Sequence, residues 1–328
     1  MTYTIAKANA NVALAKYWGK RNALLNLPYT GSLSITLAGL ETTARVALRA
    51  DLSEDYIVLN GQRATGAEGR RVSVFLDLVR RMAGERRKAE VEVHTGFPVS
   101  AGLASSASTF AALALAASSA AKLSLAPAEL SVLARRGSGS AARSIFGGFV
   151  EWLPGEASDG SDSFSVQVAP RNHWQLGVVV AVTETSRKQV GSGEGMARAL
   201  RESPFFPAWL GSHDVDLDAI RQGVLDRDLA LVGKTAEHNC LKMHAVSMAA
   251  RPALLYWTPA TFAVIQRVVQ LREEGTDAYF TIDAGPQVKV LCPWSQRTTV
   301  ADALRAVDGV QRVLLSEPGP GAELMENG

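Results

Sequence analysis

The sequence predicts a mixed α/β chain (α+β in its segregation) organised as two domains, and three observations carry that expectation. Through the first half, strand-like segments with alternating or continuous apolar residues are interspersed with helical patterns. The stretch over 196–274 is mainly helical, and it is followed by a strand, a turn, a strand, a helix and a last strand. A run rich in serine, glycine and charge over 183–195 follows the last strand pattern of that series, which places a boundary near residue 172 and domains over 1–172 and 173–328.

Residues 3–12 alternate weakly and read as a first strand, which leads into the polar and aromatic cluster Lys16-Tyr17-Trp18-Gly19-Lys20-Arg21. A loop with Pro28 and Gly31 precedes strands over 32–37, 42–49 and 55–59, and Asn60-Gly61 marks a turn. Val72, Phe75, Leu76 and Val79 recur at helical spacing over 71–82 and bury one face. A strand over 89–94, an alanine-rich helix over 106–121 and a helix over 128–135, opened by Pro127 at its first position, come next. Residues 147–152 read as a strand, 155–162 as a polar surface loop, and 176–182 as a buried strand. The run over 183–195 is expected to be mobile and solvent-facing. Helical patterns over 226–250 and 259–272 follow. The chain closes with strands over 278–283 and 288–292 around a Gly285-Pro286 turn, a helix near 299–307 and a strand over 311–315.

Composition excludes several function classes. With 328 residues, 47% hydrophobic and 20% charged, the chain is that of a globular protein with ample core. Cys240 and Cys292 make neither a disulfide framework nor a metal-ligand spacing, which fits a reducing cytosol. No signal peptide and no membrane span are expected, since Lys7 comes early and the most apolar run, 110–117, is short. The net charge of +2 and basic pairs without interleaved aromatics read as a solvated helix face, and no nucleic-acid partner is expected.

The chemistry concentrates in Pro98-Val-Ser-Ala-Gly-Leu-Ala-Ser-Ser-Ala-Ser108, between a strand and a helix. A helix opening there presents unpaired N–H groups and a positive dipole end, which suits a phosphate chain. Gly102 allows close backbone approach, Ala101 and Ala104 leave room, and Ser105, Ser106 and Ser108 can add hydroxyls. The same pattern also reads as a serine N-cap on an ordinary buried helix. Two nucleotide motifs fail. Gly137-Ser-Gly-Ser-Ala-Ala142 has a helix where a dinucleotide fingerprint needs a strand, and before Gly233-Lys234-Thr235 the first glycine of a Walker motif is Asp228. His238 and His244 lie six apart on a helix and face different directions, so core or capping roles suffice.

Four separated stretches, in register from about residue 5 to 315, resemble one family: 13–21 (ALAKYWGKR), 98–108, 135–144 (RRGSGSAARS) and 280–286 (FTIDAGP). Together they resemble the diphosphomevalonate decarboxylase family of the GHMP kinase superfamily. The resemblance implies a GHMP-kinase fold, with a ribosomal-S5-like N-terminal half, a ferredoxin-like C-terminal half and the site in the cleft between them. It implies ATP and Mg²⁺ as cofactors and mevalonate 5-diphosphate as the substrate that becomes isopentenyl diphosphate, CO₂, ADP and phosphate. Phosphomevalonate decarboxylase and mevalonate 3-kinase are close relatives and stand as alternatives, with a non-catalytic nucleotide-binding protein as a reading of another class.

The resemblance also assigns residues. Asp283, at a turn after a strand, is the general base near the 3-hydroxyl. An Asx turn is the ordinary reading of such a segment. Arg143 orients the substrate carboxylate with its fork of donors. Ser138, Gly139, Ser140, Ala141 and Ala142 form the glycine and serine turn offered to the diphosphate or carboxylate. Tyr17, Lys20 and Arg71 match diphosphate contacts, Trp18 and Gly19 shape the same loop, and Lys20 also enters the catalytic set. Ser192 matches a serine in a flexible loop that closes on the ligands. Gly102, Leu103, Ala104, Ser105, Ser106 and Lys188 are the expected ATP contacts, with Mg²⁺ carried by ATP and Ser106 the candidate protein ligand. Homodimers are common in the family. The chain departs from the family pattern at Thr30-Gly31, Gly193 and Gln287. These departures leave Asp283 and Arg143 untouched and loosen the assignment of substrate.

Overall fold

The computed structural model describes residues 2–97, 105–184 and 189–325. Strand β1 (Thr4–Ala15) leads to a small hairpin of β2 (Lys20–Asn22) and β3 (Leu27–Pro28), and then to the long strand β4 (Ser32–Arg49). Strands β5 (Tyr56–Leu59) and β6 (Gln62–Arg63) pair across the expected turn, where Asn60 and Gly61 both adopt positive φ. Helix α1 (Gly66–Ala83), strand β7 (Lys88–Thr95), helix α2 (Ser105–Ala120) and helix α3 (Pro127–Gly137) follow, and a 3-10 segment (Gly139–Ile145) leaves α3 almost at once. Strands β8 (Phe149–Trp152), β9 (Ser165–Ala169) and β10 (Leu176–Val182) precede four helices: α4 (Ser192–Glu202), α5 (Phe206–Asp226), α6 (Leu229–Met248) and α7 (Pro259–Glu273). The chain closes with β11 (Tyr279–Thr281), β12 (Val288–Pro293), α8 (Arg297–Arg305), β13 (Arg312–Ser316) and β14 (Glu323–Met325).

Two sheets organise these elements. The eight-stranded sheet runs β14-β1-β4-β7-β5-β6, with β8 and β9 continuing from the first half of β4, and the four-stranded antiparallel sheet runs β11-β12-β10-β13. Helices α1, α2 and α3 bury one face of the large sheet. Helices α5 and α6 and strand β10 pack against the other face. Helices α7 and α8 cover the small sheet.

Two strands expected over 32–37 and 42–49 are one bent strand. Their apparent break, Ala38-Gly39-Leu40-Glu41, is a bulge: the partner of β4 moves from Asn9 opposite Glu41 to Asn11 opposite Thr36. The extra residues reach the end of the chain, where Ala38 N donates to Glu317 O at 2.9 Å and Gly319 N to Thr36 O at 2.7 Å. The shift also changes which side chains face which layer. Ala6 and Ala8 lie with α2, whereas Ala10, Val12 and Leu14 lie with α5 and α6. Asn11, Ser32, Ser34 and Thr36 therefore form a fully buried polar face toward the 3-10 segment.

Candidate active site

Arg143, in the 3-10 segment, lies across that polar face with its guanidinium donors spread over three acceptors. Nε donates to Ser34 Oγ at 2.9 Å, Nη1 to Ser32 Oγ at 2.6 Å and Nη2 to Asn11 Oδ1 at 3.1 Å. Asn11 in turn donates to Ser140 O at 3.0 Å and Ser144 Oγ at 2.7 Å, which ties β1 to the segment carrying Arg143. The side chain is buried, and among the described residues no carboxylate lies within 4 Å of it. Burial pulls the guanidinium down to about 10, against the attraction of nearby Asp283.

Asp283 follows β11 at a turn, with its carboxylate divided between two lysines. Lys16 Nζ sits 3.1 Å from Oδ1 and Lys289 Nζ 3.2 Å from Oδ2; both lysine side chains are 1% exposed, while the carboxylate is 22% exposed. Burial would raise this carboxyl, but the ammonium groups of Lys16 and Lys289 overcome it and hold the group well below the usual carboxylate range. Lys16 comes from the end of β1 in the large sheet and Lys289 from β12 in the small one.

Helix α6 grips the backbone at the same turn. Cys240 Sγ lies 3.2 Å from Ile282 N, and one turn on His244 Nε2 donates to Asp283 O at 2.9 Å. Burial, with Lys16 nearby, drives His244 down to about 3, and burial raises the Cys240 thiol to about 11, so both stay neutral through the physiological range. Asn239 on the same helix accepts Lys16 N–H at 2.8 Å and donates to Asp216 at 2.8 Å, fixing the backbone from which Lys16 reaches Asp283.

A second group of cations opens beside the first. Lys20 Nζ donates to Asn26 Oδ1 at 2.7 Å; Arg71, from α1, donates to Gly137 O at 2.8 Å and covers Phe110 at 4.6 Å. Burial lowers the Lys20 ammonium and the charge of Arg71 lowers it further, and no described carboxylate lies within 4 Å of either cation. Tyr17 stands edge-on to Trp152 at 4.7 Å, with a buried hydroxyl that has no hydrogen-bond partner among the described residues. Gly139 fits beneath it, since a Cβ there would meet Tyr17 Oη at 2.9 Å. Ser138 and Ser140 flank that glycine, whereas Ala141 and Ala142 are fully buried as packing. Lys20, Arg71, Tyr17 and the 138–140 turn thus gather excess positive charge, which suits a polyanion.

The start of α2 reaches this turn through Ser106 Oγ, 3.3 Å from Ser138 Oγ. Ser108 turns away, toward Thr42 Oγ1 at 2.7 Å and Ser105 O at 3.1 Å, so its hydroxyl belongs to the sheet contact and not to the expected phosphate loop. Gly102, Leu103, Ala104 and Lys188 lie outside the described residues. Residues 192–195, expected as loop, are the first turn of α4. Gly195 seats that helix, because a Cβ would meet Tyr256 Oη at 2.1 Å and the Trp18 ring at 3.3 Å. Ser192 is exposed one turn earlier on the same helix. Gly19 has φ +124 and packs on Phe206, and Trp18 accepts a hydrogen bond from Trp209 Nε1 at 3.2 Å.

Lys16, Lys289, Asn11 and His244 were not singled out as site residues in the sequence. A lysine inside the apolar run Val288-Lys-Val-Leu-Cys292, buried end to end, is the signal that could have found Lys289.

Comparison with known proteins adds to this geometry. A family profile described as the diphosphomevalonate decarboxylase-like N-terminal domain matches residues 8–165, and one described as the mevalonate 5-diphosphate decarboxylase C-terminal domain matches 178–319. The diphosphomevalonate decarboxylase of Bos taurus is 35% identical over 320 residues, covering 92% of this chain and 78% of its own. That of Candida albicans is 30% identical over 347 residues and 96% of each chain. Among solved structures, mevalonate diphosphate decarboxylase from Staphylococcus aureus superimposes with a TM-score of 0.94 at 36% identity, covering 99% of this chain and 98% of that one. A structure described as MDDEF in complex with MVAPP, AMPPCP and magnesium superimposes with a TM-score of 0.92 at 39% identity, over 99% of each chain.

Proposed function

The chain belongs to the diphosphomevalonate decarboxylase family, and from that premise we propose which of its groups carry each part of the ATP-dependent decarboxylation of mevalonate 5-diphosphate. The GHMP-kinase fold and the use of ATP and Mg²⁺ follow from the same likeness. The substrate diphosphate occupies the pocket of Lys20, Arg71, Tyr17 and the Ser138-Gly139-Ser140 turn. Among the described residues these cations have no carboxylate within 4 Å, and the phenol has no hydrogen-bond partner. The triphosphate lies at the mouth of α2, with 102–106 and Lys188 as contacts, and Ser106 placed between that mouth and the substrate turn. Mg²⁺ would be carried by the phosphate oxygens of ATP, with Ser106 at the mouth of α2 as the candidate protein ligand. Bound ATP supplies the phosphoryl group that makes the tertiary 3-hydroxyl a leaving group.

The single observation that carries the reading is one ionised carboxylate, Asp283, open to the cleft amid Lys16, Lys289 and Arg143. Asp283 accepts the hydroxyl proton, and Arg143 holds the substrate carboxylate in the orientation from which it departs as CO₂. The surplus of positive charge around Asp283 favours binding of the carboxylate and the transferred phosphoryl group together. Ser192 on α4 approaches from the far wall. A cytoplasmic location, a homodimer and a domain boundary near 172 are part of the same proposal. The unpaired buried cysteines support the first. Sedimentation analysis checks the second.

The test is ADP release measured in parallel with mevalonate, its monophosphate and its diphosphate, with CO₂ trapped alongside. ADP and CO₂ in equal amounts from the diphosphate alone are expected; ADP without CO₂ would identify a plain 3-kinase. Asp283→Asn keeps substrate binding and loses turnover by about a hundredfold to ten-thousandfold. Parental turnover in that variant removes Asp283 from the reaction.

A further inference from the structure

Lys289 stands in a place that punishes charge. It belongs to the central strand β12, opposite Thr281 of β11 and Val180 of β10, among Val288, Val290, Leu291 and Cys292, all fully buried. An ammonium there loses several kcal/mol of hydration, and stability alone is often served as well by an apolar pair in place of both charges. Its ion-pair partner is Asp283 Oδ2 at 3.2 Å. The other oxygen, Oδ1, already faces Lys16 Nζ at 3.1 Å and Ala13 N at 3.4 Å. Each carboxylate oxygen accepts about two hydrogen bonds. Lys16 and the Ala13 amide take up Oδ1, and Lys289 takes one side of Oδ2.

We propose that Lys289 is a positioning residue, which fixes Asp283 so that the remaining side of Oδ2 is the one presented to the substrate hydroxyl. The inference rests on the reading of Asp283 as the group beside that hydroxyl. Two ammonium groups from two sheets, one on each oxygen, prevent the carboxylate from turning about its own axis. They also keep it ionised. The groups that face Asp283 are Lys16 and the Ala13 amide from β1, Lys289 from β12, Arg143 from the 3-10 segment, and Cys240 and His244 from α6. Cys240 and His244 remain neutral over the working range, so the carboxylate responds chiefly to the three cations.

The experiment compares Lys289→Met, Lys289→Gln, Lys289→Arg and Asp283→Asn by kcat, KM and melting temperature over about pH 3 to 8. Lys289→Met should stay folded but melt below the parent, because Asp283 then keeps only the Lys16 ammonium. Its kcat should fall about a hundredfold. The acid limb of kcat/KM should move up toward the usual carboxylate range, because a base stripped of one ammonium protonates at higher pH. Lys289→Gln should behave likewise, and Lys289→Arg should restore the acid limb and most of kcat. Parental kcat and acid limb in Lys289→Met, with Asp283→Asn inactive, overturn the proposal while leaving the role of Asp283 intact. Parental turnover in Asp283→Asn instead removes the reading beneath it. Unfolding of both neutral variants beside a folded Lys289→Arg would make the side chain structural and overturn the proposal as well.

Discussion

Arg143→Lys keeps one positive charge and removes the fork. In the parent protein three nitrogens serve Ser34, Ser32 and Asn11 at 2.9, 2.6 and 3.1 Å. A lysine ammonium is a point donor on a flexible stem, and it cannot span acceptors on two strands while also offering a flat edge to a carboxylate. Hydrogen bonds to charged groups contribute about 1.5–3 kcal/mol each, so losing one to Asn11 and weakening another costs roughly 3 kcal/mol of stability. Replacing a two-point hold on the substrate carboxylate by a one-point hold loses about 2–3 kcal/mol in the transition state. At about 1.4 kcal/mol per decade, that is roughly thirtyfold to a hundredfold in kcat/KM. Urea unfolding reads the first quantity, and ADP release with CO₂ capture at saturating and limiting substrate reads the second. A loss confined to KM would make Arg143 a uniform binder. Retention of kcat/KM within threefold in a folded variant would refute the two-point reading.

Gly195→Ala places a methyl against Tyr256 Oη and the Trp18 ring, lifting the first turn of α4. If Ser192 has its proposed ligand role, the substitution should raise KM for ATP or the substrate, and the double variant with Tyr256→Phe should recover much of the loss; no recovery would mean that the hydroxyl contact does not seat the helix. His244, held neutral in the fold by burial to about 3, is protonated in the unfolded chain below about pH 6.5. Its contribution therefore erodes stability as pH falls, by about 1.4 kcal/mol per pH unit. His244→Gln should flatten the slope of unfolding free energy between about pH 5 and 6.5 by that amount, and an unchanged slope would contradict the assignment.

Most of the fold was legible because its signals are local. Alternation in 89–94, the helical face of Val72, Phe75, Leu76 and Val79, Pro127 at a helix start and Asn60-Gly61 at a turn each lie within a few residues of what they specify. What was missed depends on distant partners. Strand β14 exists because Glu323, Leu324 and Met325 find Lys7, Ala6 and Ile5, and the break in β4 is bridged by Glu317 and Gly319. Strand β9 is only five residues long and was hidden behind a polar loop. The site divides in the same way. The motifs led to Asp283 and Arg143, whose surroundings are now described, but Lys16 was passed over for Lys20 within one short cluster. Only the facing strand end shows that Lys16 is buried against Asp283. His244 reads in sequence as a core or capping residue, whereas its ring nitrogen reaches the carbonyl of Asp283, 39 residues on.

The lysines that flank Asp283 reach it from different halves of the chain, one at residue 16 and the other at residue 289. A chimera that grafts the first 172 residues onto the second half of a relative would therefore inherit a charge pattern negotiated across the joint. Where that relative carries an apolar residue at the position of Lys289, the hybrid would hold its carboxylate from one side only. Exchange of whole halves between members of this family is thus constrained at a handful of interior positions far from the splice, and recombination that respects them should yield active hybrids more often than splice-site choice alone would suggest.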